Sequence, residues 1–277
     1  MEGTPQLNHR LIESLIELEN AAAEQFWVSE DRSAWKEELL SFAESKKPLQ
    51  LKPYLNESAD HPAGHPLLAN VTFLDGELMR IFGNPIKQST LNPNEDNFSI
   101  EKQYPENERV SGLFLGPGFW MGEQWHSLEQ NLRSHLEWAR QQGHLVFRSG
   151  FFNSSADILM AAELGFSGVQ IHVHSLDLYE LQMALELARD CKLCPIVSAA
   201  TTKELELAIQ TDAPHLGLCF FPGQNGHEHI QFVQQAITQI PKDCTRVLLG
   251  AIKNESELSY LSHLPFDCIF QFGAKQV

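Results

Sequence analysis

The stretch "HLVFRSGFFNSSADILMAAELGFSGVQIHVHSL", residues 144–176, decides the fold. "HLVFRSG" is a short apolar run of strand length. "SSADILMAAELG" is helical, with Gly165 as its stop. "GVQIHVHS" is a second β-branched run. Strand, loop, helix and strand in this order form the repeating unit of a parallel sheet. In a barrel built from such units, reactive side chains stand where the strands end. Here the first strand ends at Arg148, Ser149, Gly150 and Phe151, an unusual set for acid–base chemistry.

The same alternation extends both ways. From Val110 onward, "VSGLFLG", "HLVFRSG", "GVQIHVHS", "CPIVSAA", "HLGLCFF", "RVLLGAI" and "FDCIFQFG" read as strands, each followed by a helical segment except the last. Upstream, "LIESLIELENAAA" (11–23) and "SAWKEELLSFAESKK" (33–47) have helical apolar stripes. "PLQLKPYL" alternates Leu49 and Leu51 with Gln50 and Lys52, as a short first strand would. The count is then eight, which predicts an α/β (β/α)8 TIM barrel. An open doubly wound sheet would want a glycine-rich phosphate loop after an early strand, and none is present.

The expected organisation is a single TIM-barrel domain over 1–277. Helices occupy 1–47, and an irregular insertion fills 56–109 between strands 1 and 2, with a hairpin around Asp75-Gly76. No full eighth helix follows the last strand. The sector it would cover is expected to be closed by the N-terminal helices, by the insertion or by a second copy in a homo-oligomer.

Of the 277 residues, 43% are hydrophobic, enough for a large core. Twenty Lys and Arg against 36 Asp and Glu give a net charge of −16. Such a surface repels phosphate backbones, so nucleic acid is not an expected partner. A small anionic ligand would need a local cationic pocket. Five scattered cysteines argue against a disulfide framework, and Cys191-x-x-Cys194 lacks the second pair of a zinc site. No apolar run is long enough to span a bilayer, and no apolar leader opens the chain. The expectation is a cytoplasmic protein with no membrane partner, no metal and no cofactor.

At the expected strand ends the catalytic candidates are Lys52, His172 and His174, because acid–base work needs a carboxylate, a histidine or a perturbed lysine. His172 and His174 are two apart on a strand and share a face. They could move protons or bind metal. With no third ligand apparent, the pair reads first as structural. Arg148 is the candidate anion grip, with a salt bridge inside the barrel mouth as its equally weighted other reading. Ser149, Ser198 and Gly250 complete the ligand-binding candidates.

These segments resemble indole-3-glycerol-phosphate synthase, a (β/α)8 enzyme with an N-terminal helical extension. "FRSGFF", "AAELGFSG" and "VQIHVHSL" fall where that family has its third unit. "LCPIVSAATTKELELAI", "HLGLCFF" and "GPGFWMGEQWHSLEQNL" match its fifth, sixth and second units in framework. The resemblance covers 11–55 weakly and 110–273 more closely. It implies that the family's catalytic lysine falls at Ser149, its strand-five glutamate at Ser198, its strand-six asparagine at Cys219, and its phosphate-holding strand-seven motif at Leu248–Ala251. The first-strand E-x-K falls at Gln50-Leu51-Lys52.

Decarboxylative ring closure needs a proton donor and a carboxylate, and serine supplies neither at neutral pH. The expectation is a catalytically degenerate barrel that serves as a binding or interaction protein. One alternative is an enzyme with replaced chemistry, using Lys52, Arg148 and His172/His174 on a small anionic substrate. The other is the lyase itself.

Overall fold

The computed structural model describes residue 17 and residues 33–44, 46–57, 66–73, 110–114, 125–149, 155–174, 176–220, 226–250, 252 and 255–272. Two helices, α1 (Ser33–Glu44) and α2 (Leu51–Glu57), precede strand β1 (Leu67–Phe73). Then come β2 (Val110–Phe114), α3 (Trp125–Gln141), β3 (Leu145–Ser149), α4 (Ser155–Leu164), β4 (Gly168–His172) and α5 (Leu178–Asp190). The chain continues with β5 (Cys194–Ala199), α6 (Thr202–Ile209), β6 (His215–Phe220), α7 (Gly226–Ile237), β7 (Thr245–Gly250), α8 (Glu255–Ser262) and β8 (Cys268–Phe272). All strand pairs are parallel. β1 pairs with β8, from Leu67↔Cys268 to Val71↔Phe272, and closes an eight-stranded barrel in sequence order. The predicted TIM barrel is the observed fold.

Two apolar clusters interleave along the strands. Leu145 and Phe147, Cys194 and Ile196, Val247 and Leu249, and Cys268 and Phe270 belong to one cluster. Val146, Val197, Leu248 and Ile269, drawn from the alternate positions, belong to the other, together with the apolar stripes of the helices. This period of two identifies the faces of a closed sheet. The first cluster fills the lumen, and the second lies between barrel and helices. Gly143 (φ 78°) and Gly165 (φ 93°) follow α3 and α4, where a left-handed residue ends a helix without Cβ strain. Asp177 and Glu180 form a reciprocal capping box on α5.

The first strand is a correction. Residues 51–57 form α2, and the strand lies at 67–73, inside the expected insertion. Leu49 and Leu51 have strand spacing, but Leu51 and Leu55 have helical spacing, and both are buried in the lumen cluster. Burial of two leucines outweighs a two-residue alternation. Pro53 falls in the first turn, where its missing N–H costs nothing. Val71–Phe73, expected to open a hairpin, instead end β1. Residues 74–83 lie outside the described residues.

Helix α2 sits at the N-terminal end of the barrel. The Tyr54 hydroxyl donates to the Gly143 carbonyl, ahead of β3. Lys52 Nζ donates to the Lys242 carbonyl at 3.2 Å, ahead of β7. The Leu51 backbone hydrogen-bonds the thiol of Cys194, the first residue of β5.

Helix α1 packs on α4 and α5 as an outer layer. That explains why "ADILMAA" has so little polar face, since Asp157 through Ala162 are all buried. The expected helix over 11–23 lies outside the described residues apart from Glu17, as does the segment after Phe272. Ile269, on the outer face of β8, is fully buried within the single chain. The outer face of β8 is therefore covered at that point without a second copy.

Burial of Leu55 in the lumen cluster makes a direct prediction. Leu55→Ala should lower unfolding free energy by roughly 2–5 kcal/mol, the usual cost of emptying a packed leucine site. Urea denaturation reads it. A loss well under about 1 kcal/mol would mean that α2 does not fill the barrel floor.

Candidate functional site

Toward the C-terminal ends of the strands, the lumen turns polar. Ser149 ends β3, Gln170 lies mid-β4, Ser198 is near the end of β5 and Cys219 near the end of β6. All four continue the inward positions of their strands and all are buried. The Ser149 hydroxyl donates to Gln170 Oε1. Gln170 Nε2 donates to Ser198 Oγ at 2.8 Å and approaches Cys219 Sγ at 3.9 Å. Ser198 also hydrogen-bonds the Cys219 thiol. One carboxamide thus links four neighbouring strands.

Burial is the largest influence on Cys219 and pushes its thiol up to about 12, despite the Ser198 hydrogen bond. A thiol held protonated is not a nucleophile at neutral pH. Among the described residues, no histidine or carboxylate hydrogen-bonds to either serine, so none of them activates a hydroxyl as an adjacent base.

His172 ends β4 one layer nearer the mouth. Its Nδ1 accepts the backbone N–H of His174 at 3.1 Å, so the neutral ring carries its proton on Nε2. Burial, the dominant effect, pulls its pKa down to about 4. Glu204 opposes the shift and His174 adds to it. A ring protonated at Nε2 is not poised to ligate metal through that atom. Among the described residues, no group of three or more His, Cys, Asp and Glu could hold a metal ion.

His174 lies just beyond, its ring edge-on to His172 with centroids 6.1 Å apart. Its Nδ1 is 3.1 Å from Glu204 Oε1. Glu204 Oε2 accepts the Ala200 N–H at 2.6 Å, while Thr201 Oγ1 caps α6 by accepting the Glu204 N–H. Burial alone would raise the Glu204 carboxyl. The His174 hydrogen bond, the two imidazoles and the Ala200 amide outweigh it and leave the carboxyl below its usual value. The mouth therefore holds an ionised carboxylate oriented on an imidazole.

The remaining candidates go elsewhere. Lys52 is on α2 at the opposite end of the barrel, because the strand assigned to it is a helix. Arg148 faces outward, between inward Phe147 and Ser149, and is 2% exposed. It donates to the Asp157 carbonyl at 2.9 Å and to Asp157 Oδ1 at 3.0 Å, a buried ion pair with α4 backed by a hydrogen bond to its backbone. A salt bridge is present, but on the outer wall against α4 and not inside the barrel mouth as expected, because residue 148 falls on the outward phase of β3. Gly250 also faces outward. A Cβ there would lie 3.0 Å from Phe220 Cβ, so its smallness admits Phe220 rather than a ligand. Lys52, Arg148 and the histidines do not converge.

Gln170, Glu204 and Asp157 went unnoticed in the sequence. Gln170 shares a face with His172 at a spacing of two. Thr201-x-x-Glu204 has the spacing of a helix-capping motif. Nothing local marks Asp157, whose partner lies on the preceding strand.

No family model matches the chain, and no curated protein does. Among solved structures, the HpcH/HpaI aldolase from Desulfitobacterium hafniense superposes with a TM-score of 0.50 at 10% identity, over 81% of this chain and 90% of that one. The native KDPGal structure gives 0.47 at 12% identity, over 75% and 81%. The glycerol uptake operon antiterminator regulatory protein from Listeria monocytogenes gives 0.43 at 11% identity, over 76% and 94%. Similarity at this level is one of fold, and the aldolase match agrees with the α/β barrel.

Two buried histidines set an acid limit. His172 and His215 are each lowered to about 4 from 6.5, mainly by burial, with Arg189 adding to the effect at His215. The unfolded chain therefore binds protons that the folded one does not. Stability from these groups is complete above about 6.5 and falls as pH drops toward 4, by up to roughly 3 kcal/mol each. Urea midpoints across that window should decline, and less steeply in His215→Gln. A flat profile would contradict the burial of both rings.

Proposed function

We propose that this barrel does not carry out the indole-3-glycerol-phosphate synthase reaction and that it acts as a binding or interaction protein. The observation that carries the proposal is the Gln170 network. Ser149, Ser198 and Cys219 occupy the positions where the resemblance implies lysine, glutamate and asparagine. Their polar groups are bonded to one another through Gln170. A network satisfied from within contributes to the fold and offers little to a reacting substrate. A small anionic ligand loses its proposed grip as well, since Arg148 is engaged by Asp157 outside the lumen. Expression in a tryptophan auxotroph that lacks the synthase should give no growth, and robust growth would overturn the proposal.

A second reading rests on a separate observation, the His174–Glu204 pair at the mouth. A carboxylate-oriented imidazole is suited to take a proton from a bound carbon acid. Proton NMR in deuterated buffer, with a panel of small carbonyl compounds, tests it. This reading predicts solvent exchange that His174→Gln slows by about 100-fold or more. No exchange with any compound would leave the binding reading alone.

A further inference from the structure

Helix α5 has one face against the barrel and a different kind of face outside. Leu181, Leu185 and Ala188 are buried, and they line the inner side. On the opposite side, Tyr179, Met183, Glu186 and Asp190 fall at i, i+4, i+7 and i+11, a single stripe along the axis. Tyr179 is 70% exposed and Met183 49%, and the two carboxylates are also exposed. Among the described residues the exposed large hydrophobics are Tyr179, Met183 and Tyr260. Two of them adjoin on this stripe.

The stripe thus begins apolar, at the end of α5 nearest the barrel mouth, and finishes acidic. Its acidic end coincides with the helix C-terminus, where the macrodipole disfavours negative side chains. Arg189 is the basic residue in that turn. Helix α1, which packs beside α5, presents exposed Glu37 and Glu44, two turns apart at i and i+7. A second copy would bring its own −16 charge to this surface and be repelled.

We infer that the Tyr179–Met183–Glu186–Asp190 stripe is a docking surface for a basic amphipathic helix of another protein. The partner helix sets apolar side chains on Tyr179 and Met183 and Lys or Arg over Glu186 and Asp190. Exposed aromatic and methionine side chains supply adaptable contact area, and the carboxylates supply orientation. The inference goes beyond the binding reading and does not depend on the state of the lumen.

The probe is a fluorescein-labelled leucine–lysine peptide that forms a basic amphipathic helix, followed by fluorescence anisotropy. A lysine–glutamine peptide of equal charge and no apolar face serves as the control. The expected result is saturable binding that Tyr179→Ser with Met183→Ser weakens at least about tenfold. Glu186→Gln with Asp190→Asn should weaken it and flatten its salt dependence. All four positions are exposed, so both double variants should melt like the parent. No binding would overturn the inference. So would equal binding of the two peptides, or binding indifferent to both variants, since each would mean attraction to the acidic surface at large. Self-association abolished by the Tyr179/Met183 variant would also overturn it, by making the occupant a second copy.

Discussion

The Gln170 carboxamide is the interaction on which the upper barrel depends. It accepts from Ser149, donates to Ser198 and reaches Cys219, so one side chain ties β3, β4, β5 and β6 across the lumen. Buried polar groups are costly unless satisfied, and here each is satisfied by the others. Below them the lumen is mainly apolar, with Phe147 and Phe270 edge to face at 5.7 Å and one buried polar pair, His215 with Thr245 at 3.0 Å, and Leu51 and Leu55 of α2 pack into it from below. Among the described residues, the polar layer of the lumen is directed inward upon itself.

The alternation of faces then decides the chemistry. A residue one step along a strand changes from lumen to outer wall. Ser149 and Arg148 are neighbours in sequence, yet one joins the Gln170 network and the other is paired with Asp157 behind the sheet. The same rule places Gly250 against Phe220. Fixed positive charge at Arg148 therefore strengthens the wall and does not reach the mouth. Among the described residues, polar character at the mouth comes from His172, His174 and Glu204, which lie just above the network between β4 and the start of α6.

Much of this was legible from the chain. From Val110 onward each unit is local, with a strand, a helix and often a glycine stop such as Gly143 or Gly165. Such units are read without knowing what they pack against. The first strand was not legible, because Leu49, Leu51 and Leu55 satisfy two periods at once. Only the lumen, which takes Leu51 and Leu55 together, selects the helical one. The family resemblance placed Ser149, Ser198 and Cys219 as counterparts of one site, and these three do share the lumen. Gln170, which joins them, lies within the matched stretch "VQIHVHSL", but the resemblance gives it no role. The direction of Arg148 depended on strand phase and on Asp157, a residue on the next helix, and composition fixes neither.

The central claim is that the polar layer of the lumen is closed upon itself. The side-chain amide of Gln170, observed by NMR with selective glutamine labelling, tests it most directly. A closed layer predicts one well-dispersed amide pair that exchanges slowly with solvent and does not move when inorganic phosphate is added. Fast exchange together with a saturable shift on phosphate addition would contradict it, because the carboxamide would then be open to solvent and available to a ligand.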